Sequence, residues 1–128
     1  MIQANELRIG NWVIDPDGNP VTVNDIFYSG QEGINACDNN YECYPILDFD
    51  ELSPIPLTPE ILEKAGFEKD KLGYTNGFNF SLYYNHKKDK GNYGAYWKSF
   101  EAGVDFKHLH QLQNLYFALT GMELNINF

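Results

Sequence analysis

Two prolines spaced two apart, Pro54 and Pro56, stand near the middle of the chain and limit what it can become. Proline fixes φ and lacks an N–H. The run Glu51-Leu52-Ser53-Pro54-Ile55-Pro56-Leu57 is therefore excluded from a helix and disfavoured in a central strand. An extended connector here divides the 128 residues into an acidic N-terminal part, 1–57, and a C-terminal part, 58–128. Neither part is large enough to be comfortable alone, so the two are expected to pack as one compact unit across the segment 53–59. Nine Phe, nine Tyr and two Trp, spread along the whole chain, supply the apolar area for a stable core.

The N-terminal part reads as several short strands. Leu7 to Ile14 is the first, with Gly10 at a bend or bulge, and Asp15-Pro16-Asp17-Gly18-Asn19-Pro20 is a dense turn. Val21 to Phe27 follows, led by β-branched residues, and shorter strands fall near Gly33–Cys37 and Tyr41–Ile46. This pattern predicts a small, strongly bent, SH3-like β-barrel, an analogy of fold that carries no function.

Thr58-Pro59-Glu60 then opens a helix: a capping hydroxyl, a proline at the first helical position, and an acid at the positive end of the dipole. Gly66 ends it. Phe78, Phe80, Leu82 and Tyr84 alternate with polar residues as a half-buried strand, and Tyr93–Phe100 is its hairpin partner. Asp105 caps a second helix running to about Thr120, stopped by Gly121. Met122, Leu124, Ile126 and Phe128 alternate as a closing strand. The predicted class is thus α+β, the barrel followed by a helix–strand–strand–helix–strand unit packed on it.

The net charge of −9 is lopsided. Residues 1–57 hold ten acids and one base, Arg8, whereas in 58–128 eight Lys balance eight acids. The acidic part repels a nucleic-acid backbone and attracts basic surfaces, so duplex DNA is disfavoured as a partner. A single arginine also excludes an enzyme that clamps phosphate or carboxylate with several bidentate guanidiniums.

The start of the chain lacks the basic and apolar run of a signal peptide, and no segment has the roughly 20 apolar residues of a membrane span. The expected location is the cytoplasm, with no membrane partner. Cys37 and Cys43 flank a five-residue segment. A hairpin there would make a disulfide geometrically feasible, but a reducing cytoplasm favours two reduced, half-buried thiols.

Patterns that would carry catalysis are weak. The serines show no nucleophile elbow, and Gly91-Asn92-Tyr93-Gly94 lacks the lysine and serine of a phosphate loop. His108 and His110, two apart on a helix, would point in opposite directions and could not share an ion. No catalytic residue, metal site or cofactor is expected. Two surfaces stand out. One is the aromatic hairpin, where Tyr83, Tyr84, Tyr93, Tyr96 and Trp97 flank Lys87, Lys88 and Lys90, as rings and cations that stack bases and hold phosphates do. With it goes the polar helix start of His110 and Asn114, which can hold an anion. The other is the acidic stretch Asp48, Asp50 and Glu51, suited to a basic protein surface. Both also read as ordinary structure, an aromatic core with a charged turn and a solvated acidic face.

Three stretches carry a resemblance: Leu7–Val13, Ile55–Phe67 and His110–Gly121. In them the chain resembles a family of uncharacterised small proteins of Bacteroidota, their prophages and their phages. The resemblance implies a phage or mobile-element accessory protein, in the host cytoplasm if phage-encoded, and brings no catalytic or binding residues. Its expected function is a non-catalytic protein-binding module for a host or phage protein. The alternatives are a counter-defence protein that sequesters a small nucleotide immune signal, often as a homo-oligomer, and a DNA-mimic inhibitor.

Overall fold

The computed structural model describes residues 2–27, 33–38, 42–71, 73–77, 80–84, 92–98 and 100–128. The chain divides into two compact units. The first comprises Met1–Ile55, His108–Asn114 and Phe128; the second comprises Pro56–Lys107 and Leu115–Asn127.

In the first unit, a 3-10 turn at Ala4–Glu6 precedes four strands, β1 (Trp12–Ile14), β2 (Pro20–Phe27), β3 (Gly33–Cys37) and β4 (Cys43–Leu47). They form one antiparallel sheet in the order β1-β2-β3-β4. The turn between β1 and β2 is built by Asp15, whose Oδ1 accepts from the Asp17 and Asn19 amides at 2.9 and 2.8 Å. The period-2 pattern buries Val13, Val21, Val23, Ile34 and Ala36, with Ile2, Leu7 and Leu52 completing the cluster.

The expected SH3-like barrel is not formed: among the described residues no sheet closes on itself. Closure needs a strand partner along the outer edge of β1, and other groups occupy that edge. Ser53 exchanges two backbone hydrogen bonds with Ile14 (2.8 and 3.0 Å). The Gln113 amide accepts from Trp12 N–H at 2.9 Å and donates to the Gly10 carbonyl at 3.1 Å. Alternation in a sequence reports which side of a strand is buried, and says nothing about which strand lies next to it.

The cysteines also differ from expectation. Cys37 and Cys43 stand opposite each other on β3 and β4 and are joined by a disulfide. The reduced-thiol expectation followed from the assumed compartment; the cross-strand register brings the two Cα atoms within 4.0 Å.

The second unit opens with α1 (Pro59–Lys64), where Thr58 Oγ1 accepts from Ile61 N–H at 3.3 Å and Pro59 takes the first turn. A five-stranded antiparallel sheet follows: β5 (Glu68–Lys69), β6 (Tyr74–Thr75), β7 (Phe80–Tyr84), β8 (Tyr93–Trp97) and β9 (Phe100–Glu101), paired in chain order. Phe80 is the hub of its core, with ring centroids 6.1 Å from Phe67, 4.9 Å from Tyr116 and 6.4 Å from Trp97.

The second long helix, α2 (Leu109–Thr120), starts four residues beyond the expected cap Asp105. His108 lies before it, with its N–H bonded to the Gln111 side chain at 3.0 Å. The closing strand is absent. Met122 is exposed; residues 124–128 keep the alternating burial, with Leu124 buried, but pair with no strand. Asn127 N–H bonds the Lys64 carbonyl at 3.2 Å, and the Phe128 ring sits 4.6 Å from that of Trp12. One-sided burial needs only a wall to pack against, which an irregular segment can use as well as a strand.

Candidate functional site

The β7–β8 hairpin has two faces with different fates. Registers pair Tyr84 with Tyr93, Leu82 with Ala95 and Phe80 with Trp97, so these six residues share one face. Tyr74 of β6 stands opposite Leu82 and joins it. Tyr83 and Tyr96 lie on the other face, 5.1 Å apart between centroids.

The Tyr83 hydroxyl bonds Glu101 Oε1 at 2.7 Å. This bond, with burial and the Glu101 charge adding to it, pushes the Tyr83 hydroxyl up to about 12. The Tyr83 ring also lies over Gly94, where a Cβ would displace it.

On the first face, at the end of the hairpin, the sheet opens into a cleft of about 540 Å³ lined by Pro59, Lys69, Asp70, Lys71, Gly73, Tyr74, Tyr84 and Tyr93. Tyr93 (5% exposed) and Tyr74 (9%) contribute buried rings, and Tyr84 (37%) a partly exposed one. Tyr84 meets Tyr93 edge-to-face, centroids 5.6 Å apart at 87°. Burial raises the Tyr93 hydroxyl above the ordinary tyrosine value, with the neighbouring Tyr74 and Tyr84 hydroxyls adding to the shift; like any tyrosine hydroxyl it is a donor at neutral pH.

The charged side of the cleft is a turn between β5 and β6. Asp70 N–H bonds the Gly73 carbonyl at 2.8 Å, and Gly73 N–H bonds Asp70 Oδ1 at 2.7 Å. A Cβ on Gly73 would run into the Leu82 carbonyl, so the glycine lets this turn lie against β7. Lys69 and Lys71 are exposed and, among the described residues, form no ion pair. Two cations and three phenol rings in one concavity suit a planar anion: rings stack, lysines attract charge, hydroxyls orient.

Of the residues singled out from sequence, Tyr84 and Tyr93 line this cleft. Tyr83 and Tyr96 are on the far face, and Trp97 packs against Phe80. Lys87, Lys88 and Lys90 lie outside the described residues. His110 and Asn114 belong to the first unit. There Asn114 accepts from Arg8 Nε (3.2 Å) and Asn11 Nδ2 (2.8 Å) and donates to the Glu6 carbonyl at 2.9 Å. Because His108 precedes the helix, the two histidine rings are stacked in parallel, centroids 5.9 Å apart, and do not diverge as two helical positions would. No group of three or more His, Cys, Asp or Glu among the described residues is placed to hold a metal ion. Asp48, Asp50 and Glu51 are exposed around the 3-10 turn Phe49–Glu51, where Asp48 and Glu51 cap each other's backbone.

Lys69, Asp70, Lys71, Gly73 and Tyr74 were not singled out from the sequence. The signal was present as a charged triplet followed by a turn glycine and an aromatic residue, but strands of two residues are too short to show a period.

Comparisons with protein-family models, curated proteins and solved structures find no match for this chain.

Proposed function

We propose that this protein is a non-catalytic binding module whose ligand is a small planar anion held in the Tyr74–Tyr84–Tyr93 cleft. The observation that carries the reading is the convergence of three tyrosines with Lys69 and Lys71, free of ion pairs among the described residues, on one cavity of about 540 Å³. That volume falls within the range of small-molecule sites, about 300–1,000 Å³. Tyr84 supplies the ring surface that a planar ligand covers. Lysines act as point charges, so they draw in an anion without imposing the fixed fork of an arginine.

Titration with naphthyl phosphate, a ring carrying one phosphate, tests this by calorimetry. Binding at one site per chain is expected. Tyr84→Ala should weaken it about fivefold or more, the loss of one stacked ring. The double variant Lys69→Ala/Lys71→Ala should weaken it several-fold, as for exposed ion pairs worth roughly 0.2–1 kcal/mol each. Tyr96→Ala, on the far face of the same hairpin, should leave it unchanged. No binding, or equal loss in all three variants, would overturn the reading.

A further inference from the structure

We propose that the face of the β7–β8 hairpin turned away from the cleft is a seat for a lysine side chain of a partner protein, formed by the rings of Tyr83 and Tyr96 and the carboxylate of Glu101. The proposal does not depend on the anion reading of the cleft.

The sheet register brings the three residues together. Tyr96 on β8 stands opposite Glu101 on β9, and Tyr83 on β7 stands opposite Gly94, two residues before Tyr96. The two tyrosines are thus diagonal neighbours on one face, a separation that aromatic side chains span. Gly94 sets how they meet. It has no side chain, so the Tyr83 ring lies across β8 at that point, and its hydroxyl reaches Glu101 Oε1 on the next strand, 2.7 Å away. Tyr96, 40% exposed, holds its ring at 45° to this one, with centroids 5.1 Å apart.

Ring faces are negative and attract a cation. Two inclined rings beside a carboxylate therefore suit a positive group on an apolar stem. Among the described residues, Tyr83, Tyr96 and Glu101 hold no cation of this chain. Lys98, two residues beyond Tyr96, lies over the Trp97 ring instead, 5.2 Å from its centroid.

The carboxylate decides which cation fits. One Glu101 oxygen takes the Tyr83 hydroxyl. A guanidinium fork needs both oxygens for its paired bonds, whereas an ammonium is a point charge that one oxygen serves. The carbon stem of lysine covers the rings while its head stays at the carboxylate. The Asp105 charge also reaches the Tyr83 hydroxyl, and a chain of net charge −9 draws a basic partner in from a distance.

The test is an NMR titration of the full chain with an acetylated, amidated pentapeptide, one lysine between pairs of glycines. Matching peptides carry arginine or norleucine at the centre. The lysine peptide should bind at one site and shift the amides of Tyr83, Tyr96 and Glu101 most. The norleucine peptide has a similar stem without the charge and should bind at least about threefold more weakly, the worth of an exposed ion pair. The arginine peptide should bind no tighter than the lysine one. Tyr96→Ala should weaken the lysine peptide about twofold to fivefold, the loss of one exposed cation–π contact. Glu101→Gln keeps an acceptor for the Tyr83 hydroxyl, removes the charge, and should weaken it similarly. Glu63→Gln, at an exposed position of α1, removes an equal charge and should leave binding unchanged. The proposal is overturned by no binding, by equal loss in Glu63→Gln and Glu101→Gln, by a norleucine peptide that binds as well, or by a tighter arginine peptide. Naphthyl phosphate should bind Glu101→Gln as it binds the unaltered protein, so this proposal and the planar-anion reading stand or fall separately.

Discussion

His110 shows how one residue sets a pH limit on the fold. It is 1% exposed, its Nε2 lies 3.4 Å from Glu6 Oε1, and its Nδ1 has no hydrogen-bond partner among the described residues. Burial holds the imidazole below its ordinary value; the Glu6 carboxylate pulls the other way, and the parallel His108 ring adds a smaller lowering. The folded state thus takes up this proton less readily than the unfolded chain does. The contribution of the neutral ring is complete above the ordinary histidine value of about 6.5 and is lost as pH falls through the lower, folded value. Denaturant midpoints should therefore drop as pH falls below about 6.5, and His110→Gln should flatten that drop. The same drop in the variant would clear His110 of the effect. The sequence showed His110 beside amide residues at a helix start, yet the orphaned Nδ1 depends on which atoms of distant segments surround it.

At the scale of elements, the edge of β1 is the telling case. A short strand with an open edge is a pairing hazard. Here the Gln113 side chain takes both backbone groups that a neighbouring strand would take, Trp12 N–H and the Gly10 carbonyl. Gln113→Ala should destabilise the protein by about 1–3 kcal/mol, since Trp12 N–H loses its partner in a buried setting. Chemical denaturation measures this, and a change below about 0.5 kcal/mol, the ordinary range of surface substitutions, would show that the amide is not holding the edge. The sequence shows a glutamine inside a helix and cannot reveal its partner about a hundred residues away. The hairpin faces follow similar logic: alternation separates Tyr84 from Tyr83, while the β5–β6 turn that makes a cleft beside Tyr84 is a tertiary arrangement.

For the whole molecule, the division of charge survives folding. The first unit keeps all ten acids of the N-terminal part with Arg8, and the second keeps the eight lysines with eight acids. An anion site in the second unit is thus built on a neutral background and not an acidic one. The disulfide belongs to the acidic unit, linking positions six apart in sequence. Cross-linking so short a loop limits the unfolded chain by about 2 kcal/mol in the chain-entropy account. Thermal melts with and without reductant should show a lower midpoint in the reduced protein, and identical midpoints would mean the link contributes nothing to stability.

The sequence alone determined the local chemistry: the Thr58-Pro59 helix start, the Asp15–Asn19 turn, the alternating cores of β2 and β7, and the uneven charge. Each depends on neighbours within a few residues, where propensity and period act. Tertiary structure decided the rest. It left the N-terminal sheet open, turned a predicted closing strand into an irregular packed segment, and joined Cys37 to Cys43. It also set Lys69, Asp70 and Lys71 beside Tyr84 and Tyr93. Those outcomes depend on which segments meet, and contacts across long separations leave no periodic trace in the chain that makes them.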